Sequence, residues 1–146
     1  MRTVFIDSAP LGLLTHRGGP GDVEACKAMI RKLVGSGHEI VIPEICDYEV
    51  RRELMRVRAT ASVERLDALG SVFEFASITT IAMREAARLW AHARARGRPT
   101  ADRHALDGDV ILAAQAATFG SADVEIATTN MPHFDLLARA VDWTTL

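Results

Sequence analysis

Residues 105–118, ALDGDVILAAQAAT, place two acids at the head of a run that is otherwise almost wholly apolar. With small residues and no proline, the run reads as a helix over 108–119, packed on all sides and stopped by Gly120. On a helical wheel Asp109, Ala113 and Ala116 share one face. No Lys or Arg falls between positions 104 and 138. A carboxylate entering a buried face without a basic neighbour is costly unless a cation meets it. A divalent metal would serve, provided other acids in the chain converge on the same place.

Working outward, short β-branched runs alternate with helical ones. Strands are expected at Thr3–Ile6, Glu39–Ile42, Val72–Ile78, Val124–Thr128 and Val141–Trp143. Between them fall helices capped by Ser8 and by Asp22. Another is opened by Pro43 and runs to Arg58, with Cys46, Val50, Leu54 and Val57 on its apolar side. A further helical stretch covers Ser62–Leu69, and a long helix starting at Thr79 or Thr80 runs to Gly97, carrying Ile81, Ala86, Leu89 and Trp90. Arg98–His104, with Pro99, reads as a polar loop, and Asn130–Leu137 as a turn and short helix. Strands alternating with helices predict one α/β domain over residues 1–146, a three-layer α/β/α fold around a mostly parallel sheet of four to five strands.

In such sheets the working crevice lies beyond the carboxyl ends of the strands. Asp7 ends the first strand there, Glu49 lies in the second turn of the helix after the second strand, Asp109 heads the buried helix, and Asn130 follows the fourth strand. Each also has a plainer role. Asp7 would cap the next helix, Asn130 would serve a turn, and Glu49 would be solvated, with Glu53 its rival one turn later. Asp107 sits where an N-cap belongs and is first a cap. Asp109 resists the plain account best, although a helix dipole would favour an acid in its first turn. Two carboxylates at about 4 Å repel by roughly 4 kcal/mol at an effective dielectric near 20. A cluster of them calls for a cation, and hard oxygen ligands favour Mg²⁺ or Mn²⁺ over zinc. Such a site supports metal-assisted phosphodiester hydrolysis.

The totals narrow the class. Apolar residues make up 49% and charged ones 25% of 146 residues, with a formal charge of −2, which argues against a surface that clings everywhere to nucleic acid. The 17 basic residues are nearly all Arg, a bias that a GC-rich genome would also produce. Cys26 and Cys46 have neither zinc spacing nor a disulfide framework, and a reducing cytoplasm fits them. No run approaches the roughly 18 apolar residues of a membrane span, and the short run ending at Asp7 does not read as a signal peptide. Neither G-x-G-x-x-G nor G-x-x-x-x-G-K occurs. A haloacid dehalogenase-like phosphatase would need a second Asp where Ala9 stands. The five histidines, His133 among them, lack nucleophile or metal spacing and read as solvent or loop residues.

Four segments together carry a family likeness: VFIDSAPLGLL (4–14), IPEICDYEVRREL (42–54), LDGDVILAAQA (106–116) and ATTNMPHFDLL (127–137). The chain resembles the PIN-domain ribonucleases, and among them the VapC-like toxins of toxin–antitoxin pairs. The resemblance implies that Asp7, Glu49 and Asp109 are catalytic and hold Mg²⁺ or Mn²⁺. Asn130 stands in the fourth place, often Asp, and Asp107 supports Asp109 from behind. It implies an endoribonuclease, an RNA substrate, a cognate antitoxin and a homodimer. Arg51, Arg52, Arg98 and Arg103 flank the acids and are candidate phosphate contacts, although a solvated helix face explains any one of them as well. Alternatives are a PIN-like binding module without catalysis, which Asn130 motivates, a housekeeping nuclease outside any toxin pair, and a DNA-directed nuclease with the same site.

Overall fold

The computed structural model describes residues 1–19, 21–96 and 103–146, the side chains of 103–105 excepted. Five strands form one sheet: β1 (Thr3–Ile6), β2 (Glu39–Pro43), β3 (Glu74–Ala76), β4 (Val124–Thr128) and β5 (Ala140–Asp142). Their order is β3-β2-β1-β4-β5, and every pairing is parallel. Alternate residues of a strand face opposite sides of the sheet. All four residues of β1 are buried, so both faces are covered and the expected three layers are present.

Among the described residues six helices connect the strands: α1 (Ser8–Leu14), α2 (Asp22–Gly35), α3 (Glu44–Arg56), α4 (Thr60–Val72), α5 (Thr80–Ala95) and α6 (Arg103–Thr118). Residues 131–134 and 143–145 form 3-10 turns. The main core joins β1, β2 and β4 to α1, α2, α3 and the inner side of α6. A second cluster, built from Ala86, Leu89, Ala93, Val110 and Ala113, glues α5 to α6.

Several expected boundaries move. The N-cap of α1 is Asp7, whose Oδ1 accepts the Ser8 N–H at 2.7 Å, and α2 is entered from Gly21 at φ 70° with Asp22 as its first helical residue. α4 runs further than expected, while β3 shrinks to the three residues that find partners on β2, leaving Val72 exposed. Val57 and Ile81, placed on apolar stripes by the pattern, are 54% and 70% exposed. The buried stripe of α5 is Ala82, Ala86, Leu89 and Ala93 instead. α3 stops at Arg56, and Arg58 turns the chain at φ 57°. β5 begins one residue before the expected Val141, and Trp143 passes into a turn.

The largest correction concerns α6. It starts at Arg103, not 108, so Asp107 lies inside the helix and is not its cap. Asp109 is accordingly past the first turn, beyond which the helix dipole's pull on an acid falls off. The burial of the apolar run itself stands: residues 112–116 are all buried.

The lone polar residue of that run explains how α3 is started. Pro43, the N-cap of α3, offers no side-chain acceptor to the helix's free N–H groups. Gln115 does so from α6: its Oε1 accepts the Ile45 N–H at 3.2 Å, and its Nε2 donates to the Ala76 carbonyl at 2.6 Å. One buried amide thus ties α6, α3 and β3 together. Gln115→Leu keeps the volume but strands these groups, and it is expected to cost about 2–4 kcal/mol in urea unfolding.

Candidate metal centre

β1 delivers Asp7 at the carboxyl end of the central strand, and three donors fix its carboxylate. Oδ1 accepts from the Ser8 N–H and, at 3.8 Å, from the Cys46 thiol, while Oδ2 accepts from the Thr128 hydroxyl at 2.6 Å. Cys46 is fully buried, and burial pushes its thiol well above the ordinary range, with Asp7 adding to the effect. It is a hydrogen-bond donor here, not a nucleophile.

α3 presents Glu49 to the same place. Its Oε1 accepts from the Ser8 hydroxyl at 3.0 Å, so Ser8 joins the first two acids, its N–H on Asp7 and its O–H on Glu49. Burial raises the Glu49 pKa, the Ser8 hydrogen bond opposes the rise, and Asp7 reinforces it. Glu53, the rival, is exposed and paired with Arg56.

Asp109 enters from the second turn of α6. Burial first, then the fields of Asp7 and Glu49, raise its pKa from 3.8 to about 7. The three acids therefore share one electrostatic neighbourhood, as the strand-end argument expected. The helix turn beside them is a glycine for a visible reason: a Cβ on Gly108 would lie 3.1 Å from Glu49 Oε2.

Electrostatics separate this group from another buried acid. Glu125, with only 3% of its side chain exposed, meets two guanidinium groups, Arg2 at 2.5 Å and Arg139 at 3.1 Å. Among the described residues Asp109 has no Lys or Arg partner. Its basic contact is His133, whose Nδ1 lies 3.4 Å from Oδ2.

A divalent ion suits this donor set. The available atoms are hard carboxylate oxygens, and the absent side chain of Gly108 keeps room beside Glu49. Among the described residues no group of three or more acids, histidines or cysteines stands close enough together to hold an ion as placed.

The supporting residues divide. Asn130 is exposed and its side chain caps nothing, but its N–H donates to Thr128 Oγ1 at 3.0 Å. Asp107 is exposed beside a shallow apolar pocket between α5 and α6 that includes Met83 and Trp90. Arg51 is held by Asp47 at 2.9 Å and Asp67 at 2.8 Å, whereas Arg52 stacks over Tyr48 at 5.0 Å and reaches Glu49 at 4.0 Å. Arg98 lies outside the described residues, and of Arg103 only the backbone at the head of α6 is described. Beside Ser8 and Glu49 a cleft of about 440 Å³ runs between α1 and α3, floored by Gly12, Leu13, Val50 and Leu54. Pattern reading missed Ser8, Thr128 and His133 as members of the group. The hydroxyls at two strand ends and the Asn130-to-His133 spacing were the signals available.

No family model matches this sequence, and no curated protein matches it. Solved structures do. Over 95% of this chain and 97% of the other, the fold is similar to VapBC2 from Rickettsia felis bound to a DNA fragment from their promoter, with TM-score 0.73 and 12% identity. VapBC-1 from nontypeable Haemophilus influenzae matches at TM-score 0.71 and 15% identity over 97% and 98% of the two chains. DNA-bound VapBC from Salmonella typhimurium matches at 0.63 and 18%, over 98% and 99%. At these identities the likeness is one of fold. The chain has the PIN-domain fold of VapC-like proteins, as its motifs led one to expect.

Proposed function

We propose that this chain is a divalent-metal-dependent endoribonuclease of the PIN type and the toxin of a toxin–antitoxin pair. The observation that carries the reading is Asp109. It is a largely buried acid raised to about 7 by burial, Asp7 and Glu49, and among the described residues it has no arginine partner, whereas buried Glu125 has two. A structural acid would be paired as Glu125 is. An acid set beside two others, with a half-exposed histidine as its basic contact in place of a guanidinium, suits a cation that comes and goes.

Asp7, Glu49 and Asp109 would hold Mg²⁺ or Mn²⁺, which when bound would supply activated water and offset charge on the phosphorane. The chain's own groups set up the rest. Ser8 orients Asp7 and Glu49 with its two donors, and Thr128 fixes the far oxygen of Asp7. Arg52, on the rim and next to the exposed Tyr48, is placed to meet a backbone phosphate, with the α1–α3 cleft beside it for the flanking nucleotide. Arg51, tied to two aspartates, contributes mainly to α3 and α4. The complexes with similar folds are VapBC pairs, two of them DNA-bound, which supports a cognate antitoxin as partner. A homodimer is part of the same proposal. Among the described residues no helix is long and apolar enough to cross a membrane.

The test is cleavage of a pool of single-stranded RNA oligonucleotides with Mn²⁺ or Mg²⁺, against EDTA, with DNA of the same sequences in parallel. Glu49→Gln is expected to slow cleavage at least about a hundredfold, since even groups behind metal ligands cost ten- to a hundredfold. Equal cleavage in EDTA, or by Glu49→Gln, overturns the reading. RNA binding without Mn²⁺ binding or cleavage would instead identify a binding module.

A further inference from the structure

A continuous path of polar contacts leads from Asp7 to Asp109 through the end of β4. Thr128, fully buried, donates its hydroxyl to Asp7 Oδ2 and accepts the Asn130 N–H on the same oxygen. The Asn130 carbonyl accepts the His133 N–H at 3.1 Å, and His133 Nδ1 stands 3.4 Å from Asp109 Oδ2. Phe134, 1% exposed, anchors the turn in the core next to His133. Residue 130 takes part through its backbone, so an Asn there interrupts nothing.

We propose that this path is a brace, and that His133 is its last link: a positioning residue whose Nδ1–H orients the Asp109 carboxylate toward the metal site. The inference rests on the metal-site reading above. Three features carry it. Nearly half of the His133 side chain is exposed, so its ring is not there to fill the core. Asp109 has no other basic contact among the described residues. The turn bearing His133 is tied to Asp7, so the two acids are registered against each other through β4 as well as through the sheet and α6. A ring N–H brought onto the carboxylate from this position would fix which face of it remains available.

Isothermal titration with Mn²⁺ tests the brace without recourse to activity. His133→Asn places its amide nitrogen where Nδ1 was, whereas His133→Gln places one where Nε2 was. His133→Ala and His133→Gln are expected to bind Mn²⁺ about tenfold more weakly, and His133→Asn within about threefold of the parent. A merely structural histidine would not separate Asn from Gln. Unchanged affinity in His133→Ala overturns the brace and leaves the metal reading standing, provided Asp109→Asn still abolishes binding. Rescue by Gln and not by Asn overturns the role of Nδ1. Failure of the parent protein to bind Mn²⁺ removes the metal reading and the brace together. Should His133→Ala not fold, the Asn and Gln variants decide alone.

Discussion

Asparagine in place of Asp109 is expected to make the metal-free protein more stable at pH 8 while abolishing its affinity for Mn²⁺. The sign follows from the direction of the shift. Asp109 ionises near 3.8 in the unfolded chain and at about 7 in the folded one. Below about pH 4 both forms are protonated, and the acid costs the fold nothing. As pH rises toward 7 the unfolded chain releases its proton while the folded one retains it, so native stability drains away over that window. A difference of this size corresponds to roughly 4 kcal/mol as a ceiling, lowered because 19% of the side chain still meets water. Glu49 shifts in the same direction and leaves a smaller slope of its own. Glu53, Glu85 and Asp142 are lowered by their partners and act at more acid pH, with the opposite sign. Urea unfolding between pH 4.5 and 8 without metal should show the parent losing stability and Asp109→Asn nearly flat. Added Mn²⁺ should restore the parent at pH 8 and leave the variant unchanged. Parallel pH profiles for the two proteins would refute the account of Asp109.

Gly108→Ala should separate stability from metal binding by another route. Alanine inside a helix is favoured over glycine by about 1 kcal/mol, so α6 gains. Its new methyl would stand 3.1 Å from Glu49 Oε2, close enough that the carboxylate must retreat by a few tenths of an ångström. A metal ligand displaced by that much loses affinity, and about a tenfold weakening of Mn²⁺ binding is expected together with an unchanged or higher Tm. Gly108→Val should deepen the loss of affinity. Calorimetric titration beside thermal unfolding checks both halves. Unaltered Mn²⁺ binding in both variants would show that Glu49 does not need the space that Gly108 leaves.

The acids were legible because two local facts suffice to locate them. A parallel sheet gathers its functional residues at the carboxyl ends of strands, and Asp7 stands at such an end. A bare acid on the apolar face of 105–118 called for company, and the structure supplies Asp7 and Glu49. What stayed hidden depends on distance along the chain. Ser8 bonds Glu49 and Thr128 bonds Asp7 across gaps of 41 and 121 residues, and their place at strand ends is the one local sign of it. The pattern reads His133 as a loop histidine because its partner, Asp109, lies on another element. The start of α6 was misplaced because Asp107-Gly108 imitates a capped beginning, whereas the helix begins at Arg103. Gln115 does carry a local signal: an amide alone in an apolar run must find buried partners.

The place of β1 also bears on when the protein becomes competent during its synthesis. Asp7 leaves the ribosome 121 residues ahead of Thr128, whose hydroxyl fixes it, and the strand that carries it sits at the middle of the sheet. Parallel strands pair only after the intervening chain exists. A nascent chain that has exposed β1, β2 and α3 therefore holds Asp7 and Glu49 but neither Asp109 nor β4. Under the proposed function, such a fragment would lack a complete site while still on the ribosome. Competence would arrive late and at once, when β4 threads beside β1.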